Sequence, residues 1–289
     1  MTTAALEPRA GRRCHNTLNS LHSTLFFSPD LATEMGALGI TDPRAVNFAT
    51  RAAAMGRVGP GTVTAAFYNY RYELVARHVP AVWDTAAPDA VLAARARAAD
   101  TTLRRLLGAD AVAAPETAEA ASLALRATEA CTRPGRPLYA AHADLPVPEE
   151  THLRLFHAAT LLREHRGDGH LAALAAAGLD GLEALITHTA TGRGMTPKWI
   201  LTTRGWSRPE WDAASGRLRG RGLLDDDGEL TAEGAALRTG VEEETDRLDR
   251  APYEHLGAEG VARLTELTAA LARTAAAAGA FPEGLLGKR

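Results

Sequence analysis

Residues 149–177, EETHLRLFHAATLLREHRGDGHLAALAAA, constrain the fold more than any other stretch. A segment this apolar on nearly every side reads as a helix buried in a larger domain. Yet it holds four of the chain's ten histidines. Glu149 and Glu150, after Pro148, suit the positive end of a helix. At 100° per residue, Leu155, Ala159 and Leu162 form one stripe, and His157, Thr160 and Glu164 share another face. An imidazole and a carboxylate on one face suit general acid–base work or the positioning of a ligand. A structural buried pair is the competing reading. The run Arg166-Gly167-Asp168-Gly169-His170 predicts a glycine stop, then an aspartate cap for a further helix over 169–177. His165 and His170 flank it without matching a metal motif.

Composition sets the bounds around this helix. Hydrophobic residues make up 46% and aromatics only 5%, with alanine filling much of the rest, which favours closely packed helices. A formal charge of −3 and a pI near 6.4 give no global positive field to draw the chain to nucleic acid. Two cysteines, Cys14 and Cys131, predict a reduced, cytoplasmic protein, with a single disulfide left open. No apolar run approaches the roughly 18 residues of a membrane span. The opening MTTAALEPRAGRRC has no apolar stretch of the kind a signal peptide needs.

Residues 1–9 read as a flexible tail, and 10–178 as a helical domain that holds the ligand or active site. Its first helix, from about Ala10 to Phe27, has the apolar stripe Cys14, Leu18, Leu21 and Leu25. Beside that stripe run His15, Asn19, His22 and Phe26, and the two histidines, about 10 Å apart along the axis, are too distant to chelate one metal alone. Ser28-Pro29 and Thr41-Asp42-Pro43 open further helices. A helix over about 62–78 carries Phe67-Tyr68-Asn69-Tyr70-Arg71-Tyr72, where Tyr68, Asn69 and Tyr70 offer directional hydrogen bonds to a ligand. Residues 88–107 and 115–131 read as helices with exposed charge, and 138–146 as extended.

From Leu179 the pattern changes. Leu182, Leu185 and Ile186 mark one helix, 197–202 a second and 208–219 a third, entered through Gly205-Trp206-Ser207 with Ser207 as cap. Residues 222–231, GLLDDDGELT, predict a strand, an acidic tip and a return strand. Thr231 then caps a long helix. Three helices, a hairpin and a helix is winged-helix order. Residues 218–224, LRGRGLL, and 230–234, LTAEG, around the Asp-Gly tip resemble the MarR-type winged-helix signature. The whole chain resembles an actinobacterial helix-turn-helix family, on Phe67-Tyr68-Asn69, His157-Ala158-Ala159-Thr160 and the run from Arg163 to His170. That resemblance implies a regulator's fold, which does not itself carry function. Glu210, Asp212, Asp225, Asp226 and Asp227 would face phosphate and outweigh Arg208, Arg217, Arg219 and Arg221.

The expectation is therefore a mainly α protein: an N-terminal multi-helix domain plus a C-terminal winged helix (179–250) with a small β-hairpin wing. Residues 251–289 form a C-terminal helix and tail. His157 and Glu164 are the catalytic candidates, and His22, Tyr68, Asn69, Tyr70 and Thr160 the ligand-binding ones. The favoured function is a small-molecule-binding protein or a cofactor-independent acid–base enzyme of the cyclase, isomerase or hydrolase type. The winged helix then serves as scaffold or dimerisation element of a homodimer. A ligand-responsive, MarR-like DNA-binding regulator is the alternative, and a haem or metal protein using the pocket histidines the second. No cofactor and no metal ligand set is expected from the motifs, since phosphate-binding loop, dinucleotide fingerprint and nucleophile elbow are all missing.

Overall fold

The computed structural model describes residues 6–282; residues 1–5 of the expected tail and 283–289 at the other end lie outside the described residues. Helices run in chain order as α1 (Ala10–Ser23), α2 (Pro29–Ala37), α3 (Pro43–Ala52), α4 (Pro60–Phe67), α5 (Tyr72–Ala76), α6 (Val82–Thr85), α7 (Pro88–Leu107) and α8 (Ala109–Ala113). They continue as α9 (Pro115–Thr128), α10 (Pro137–Ala143), α11 (Thr151–Ala176), α12 (Gly181–Thr189), α13 (Pro197–Arg204), α14 (Arg208–Gly220), α15 (Ala232–Leu248) and α16 (Arg250–Ala277). No single helix among the described residues is long and apolar enough to cross a membrane.

Two compact units divide the chain. The first takes the described residues through Arg57, Val82–Gly169 and Asp246–Pro282; the second takes Val58–Ala81 and His170–Thr245. In the first, α16 packs along α1, α7 and α9. Leu18, Leu21 and Leu25, and on the later helix Leu256, Val261 and Leu264, are each almost wholly buried, contributing about 1.5–3 kcal/mol apiece. Ala120, Ala121, Ala124 and Ala127 are all buried on α9 and allow a close helix approach. The segment 252–278 thus packs back on the body of its own unit.

The central helix is longer than its sequence suggests. α11 runs unbroken through Gly167-Asp168-Gly169, where a stop and restart were expected. Asp168 caps a different helix: its Oδ2 accepts the backbone N–H of Tyr139 in the first turn of α10, at 2.9 Å. Gly169 makes room rather than a turn. A Cβ there would lie 2.8 Å from Arg136 Nη1, and that guanidinium donates to the carbonyls of His165 and, at 2.7 Å, Leu248. α10 itself occupies the stretch expected to be extended.

In the second unit, α12 packs on α13 and α14. Asp180 with Glu183, and Ser207 with Glu210, form capping boxes. Gly205, at φ 82°, turns the chain between α13 and α14. The expected β-hairpin wing is not formed, so the C-terminal winged helix is corrected to an all-helical arrangement. Among the described residues the only β pairing is one antiparallel bridge, Leu224 to Leu230. Five polar or glycine residues separate the bridging pair and α15 starts at Ala232. The arms are too short for a ladder, and three adjacent aspartates resist being drawn together.

Candidate functional site

A buried polar cluster occupies the first unit, where α1, α3, α7, α10 and α11 contribute to one electrostatic neighbourhood. α7 supplies Arg95 because Val91, Arg95, Ala98 and Thr102 repeat at helical spacing and are all buried. Arg95 Nη2 donates to Thr160 Oγ1 at 3.2 Å and lies 3.4 Å from His22 Nε2. Its guanidinium carbon sits 5.4 Å from the centre of the Phe156 ring. His22, fully buried on α1, stacks on the same ring at 4.8 Å and meets Phe26 edge-on at 5.5 Å. Phe156 thus fixes both the cation and the imidazole in place. Arg95 Nε and His22 Nδ1 are buried without a hydrogen-bond partner.

Positive charge dominates. Arg51, Arg95 and Arg163 surround a single carboxylate, Glu164, which is 3% exposed and pairs with Arg163. Burial alone would raise the Glu164 pKa, yet Arg163, Arg51, His142 and Arg95 together hold it below the usual carboxylate value. The histidines are driven the other way. Burial, with Arg95 beside it, takes His142 down to about 3. Burial and Arg95 take His157 down to about 4. His22 is pushed well below its ordinary value by burial, then by Arg163 and Arg95. Even Arg95 falls to about 10, chiefly by desolvation. The site at neutral pH therefore holds three neutral imidazoles, three guanidiniums and one carboxylate.

Of the residues singled out from sequence, His22, His157, Thr160 and Glu164 belong to this unit. Thr160 and His22 both meet Arg95. No hydrogen bond joins His157 to Glu164 among the described residues, as seven residues of helix, about 10 Å of rise, would lead one to expect. Arg51, Arg95 and His142 escaped the sequence reading. Arg95 hid in an alanine- and arginine-rich helix assigned exposed charge; its place on the Val91–Thr102 stripe was the available signal. His142 lay in the stretch taken as extended.

Tyr68, Asn69 and Tyr70 belong to the second unit and do not continue a helix. α4 ends at Phe67, and Tyr68 takes a left-handed φ of 65°. Its hydroxyl donates to the Leu179 carbonyl. The Asn69 carbonyl accepts from Trp206 Nε1 at 3.0 Å, and Arg204 stacks over the Tyr70 ring at 4.5 Å. Gly181 is required beside this loop, since a Cβ there would meet the Tyr68 carbonyl oxygen at 2.2 Å. These residues fasten 68–71 to the α13–α14 pair.

The cations of that pair are largely matched. Arg208 pairs with Asp212 at 2.9 Å, Arg217 with Asp180 at 2.7 Å and Glu183 at 2.9 Å, and Arg221 with Glu183 at 3.2 Å. Glu210 pairs with Arg71 at 2.7 Å. Among the described residues, no group of three or more His, Cys, Asp or Glu side chains is placed to hold a metal ion. A model of a helix-turn-helix family matches residues 11–282. No curated protein and no solved structure matches the chain.

Proposed function

The chain belongs to that helix-turn-helix family, and from this premise we propose that it is a small-molecule-binding protein whose first unit takes an organic anion at the Arg95 cluster. One observation carries the reading: a buried guanidinium shared between His22 and Thr160, in a neighbourhood with three arginines and one carboxylate, with buried nitrogens on Arg95 and His22 left without partners. A buried guanidinium with an open Nε, such as that of Arg95, calls for a compensating negative charge. Phe156 and Phe26 add an apolar, aromatic wall for the body of the ligand.

Binding fits these groups better than acid–base catalysis. A general acid or base works best with a pKa near the operating pH, and His142 at about 3 and His157 at about 4 are far from it. In this reading His157 offers a neutral imidazole to the ligand, and Glu164 holds Arg163 in place. The test is a thermal-shift and calorimetric screen of the whole chain against aromatic and aliphatic carboxylates, sulfonates and phosphate monoesters. At least one class should bind, and Arg95→Met should weaken that binding at least tenfold, in line with about 1.5–3 kcal/mol for a hydrogen bond to a charged group. Binding that survives unchanged in a folded Arg95→Met protein defeats the proposal.

Family membership favours a second reading, a ligand-responsive DNA-binding regulator with α14 as the reading helix. It requires the paired arginines of α14 to exchange Asp180, Asp212 and Glu183 for phosphate, and that exchange opposes affinity. Titration of the upstream region of the protein's own gene, with and without a bound anion from the screen, separates the two readings.

A further inference from the structure

One face of α11 carries Thr160, Glu164 and Asp168, one turn apart and all buried. Thr160 receives Arg95, and Glu164 lies among Arg163, Arg51, His142 and Arg95. Asp168 ends the stripe with a different partner. Pro137 opens α10 without an N–H to offer, and Arg136 before it supplies no side-chain cap. Asp168 fills that place from α11. Its Oδ2 accepts the Tyr139 N–H at 2.9 Å, and the Leu138 N–H adds a further contribution. The arrangement is costly, since Asp168 is 4% exposed and its Oδ1 has no hydrogen bond. Two more contacts fasten the same end of α10. Arg136 donates to the carbonyls of His165 and Leu248, and the Tyr139 ring meets His165 edge-on at 5.2 Å.

What α10 brings to the cluster is His142. Leu138, Tyr139 and His142 are its buried residues, and they share one face at helical spacing. The helix packs against the turn Ala53–Met55, which follows α3, the helix of Arg51. His142 is 1% exposed and stands in the field of Arg95, Glu164, His157 and Arg163. Its ring makes no hydrogen bond among the described residues. A neutral imidazole has one N–H to donate, and a donor suits an anion held by Arg95. Two turns of helix are too few to be stable alone, so the fastening of the first turn decides where His142 stands. We propose, resting on the anion-binding reading of the cluster, that His142 is a further anion-binding residue and that Asp168 is the positioning residue that holds it there through α10. Asp168 itself does not touch the anion.

The test is calorimetric titration of the whole chain with benzoate, benzenesulfonate and phenyl phosphate, one aromatic representative of each anion class. At least one should bind the wild type. His142→Ala and Asp168→Ala should each weaken that binding about tenfold, the scale of one lost hydrogen bond to a charged group. Asp168→Asn keeps an acceptor for the Tyr139 N–H and should recover most of the loss. The two residues act in series, so the double variant should bind within about twofold of His142→Ala. Where Asp168→Ala fails to give a cooperative melt, His142→Ala decides alone. The proposal is overturned if either folded variant binds as the wild type does while Arg95→Met does not, a result that leaves the anion site standing without α10. It is equally overturned if the two losses multiply to roughly a hundredfold, since Asp168 then acts independently of His142. It also falls if none of the three anions binds, and the wider screen then decides the anion reading by itself.

Discussion

At the scale of single residues, Arg95 and the imidazoles around it set the chemistry of the first unit. A histidine whose pKa in the folded protein lies below its ordinary 6.5 holds fewer protons folded than unfolded. Its contribution to stability is complete above about pH 6.5 and is lost as the pH falls toward the folded value, about 4 for His157. Asp168, raised to about 6 by burial, acts in the opposite sense over much of the same window. The clean measurement is therefore a difference. His157→Gln should show a shallower fall in melting temperature between pH 6.5 and 4 than the wild type, and identical slopes would refute the assignment. The same arginine field links binding to protons. Burial first and Arg95 second depress His157, and an anion at the proposed site would offset the Arg95 contribution, so the His157 pKa should rise on binding. Affinity for the anion should strengthen as the pH falls from about 6.5 toward 4, with proton uptake visible as a buffer-dependent heat. An affinity that weakens over that range would contradict a cationic site.

Among the elements, α11 shows how much was legible and why some was not. Its existence, its burial and the shared face of His157, Thr160 and Glu164 all follow from 3.6-residue periodicity. Its continuity does not, because Gly167 and Gly169 look alike in sequence and differ only in what lies beside them. A Cβ on Gly167 would meet nothing nearer than Glu164 Oε2 at 3.7 Å, an ordinary contact. A Cβ on Gly169 would press on Arg136 at 2.8 Å and on Leu248 Cβ at 3.4 Å, and Arg136 is held by two carbonyls. Gly167→Ala should stabilise by up to about 1 kcal/mol through helix propensity. Gly169→Ala gains the same propensity but overpacks by about 1–3 kcal/mol, and should be neutral or destabilising. Denaturant melts of the two variants test this, and equal stabilisation by both would remove the close-approach explanation. Tyr68–Tyr70 and the missing wing teach a related lesson. Their sequences carry the right residue types, but Tyr68 is turned into a left-handed conformation against Gly181, and the Leu224–Leu230 arms are too short to pair further. The first outcome depends on a neighbour distant in the chain, which local pattern does not report, and the second on how soon α15 begins.

At the scale of the whole molecule, the question is whether the second unit carries the charge that DNA binding requires. Within residues 58–81 and 170–245, ten arginines and lysines stand against thirteen aspartates and glutamates. Each phosphate contact would need a free cation, and affinity falls steeply with salt when few are available. On α14 the exposed arginines already hold Asp212, Asp180 and Glu183, so DNA binding must first break those pairs. Surface pairs are individually weak, about 0–1 kcal/mol, so the pairing alone would not prevent binding. Asp225, Asp226 and Asp227, exposed beyond the end of α14 and without a salt-bridge partner among the described residues, add repulsion. Fluorescence anisotropy against the upstream region of the gene, at about 0.15 M salt where charges more than about 8 Å apart are screened, should show no submicromolar binding. Replacing Asp225, Asp226 and Asp227 by asparagine should strengthen whatever weak, salt-sensitive binding exists. Submicromolar wild-type affinity that is lost in Arg208→Ala or Arg217→Ala would reverse the conclusion and make α14 a reader of DNA. An absence of such binding favours the small-molecule reading proposed for the first unit.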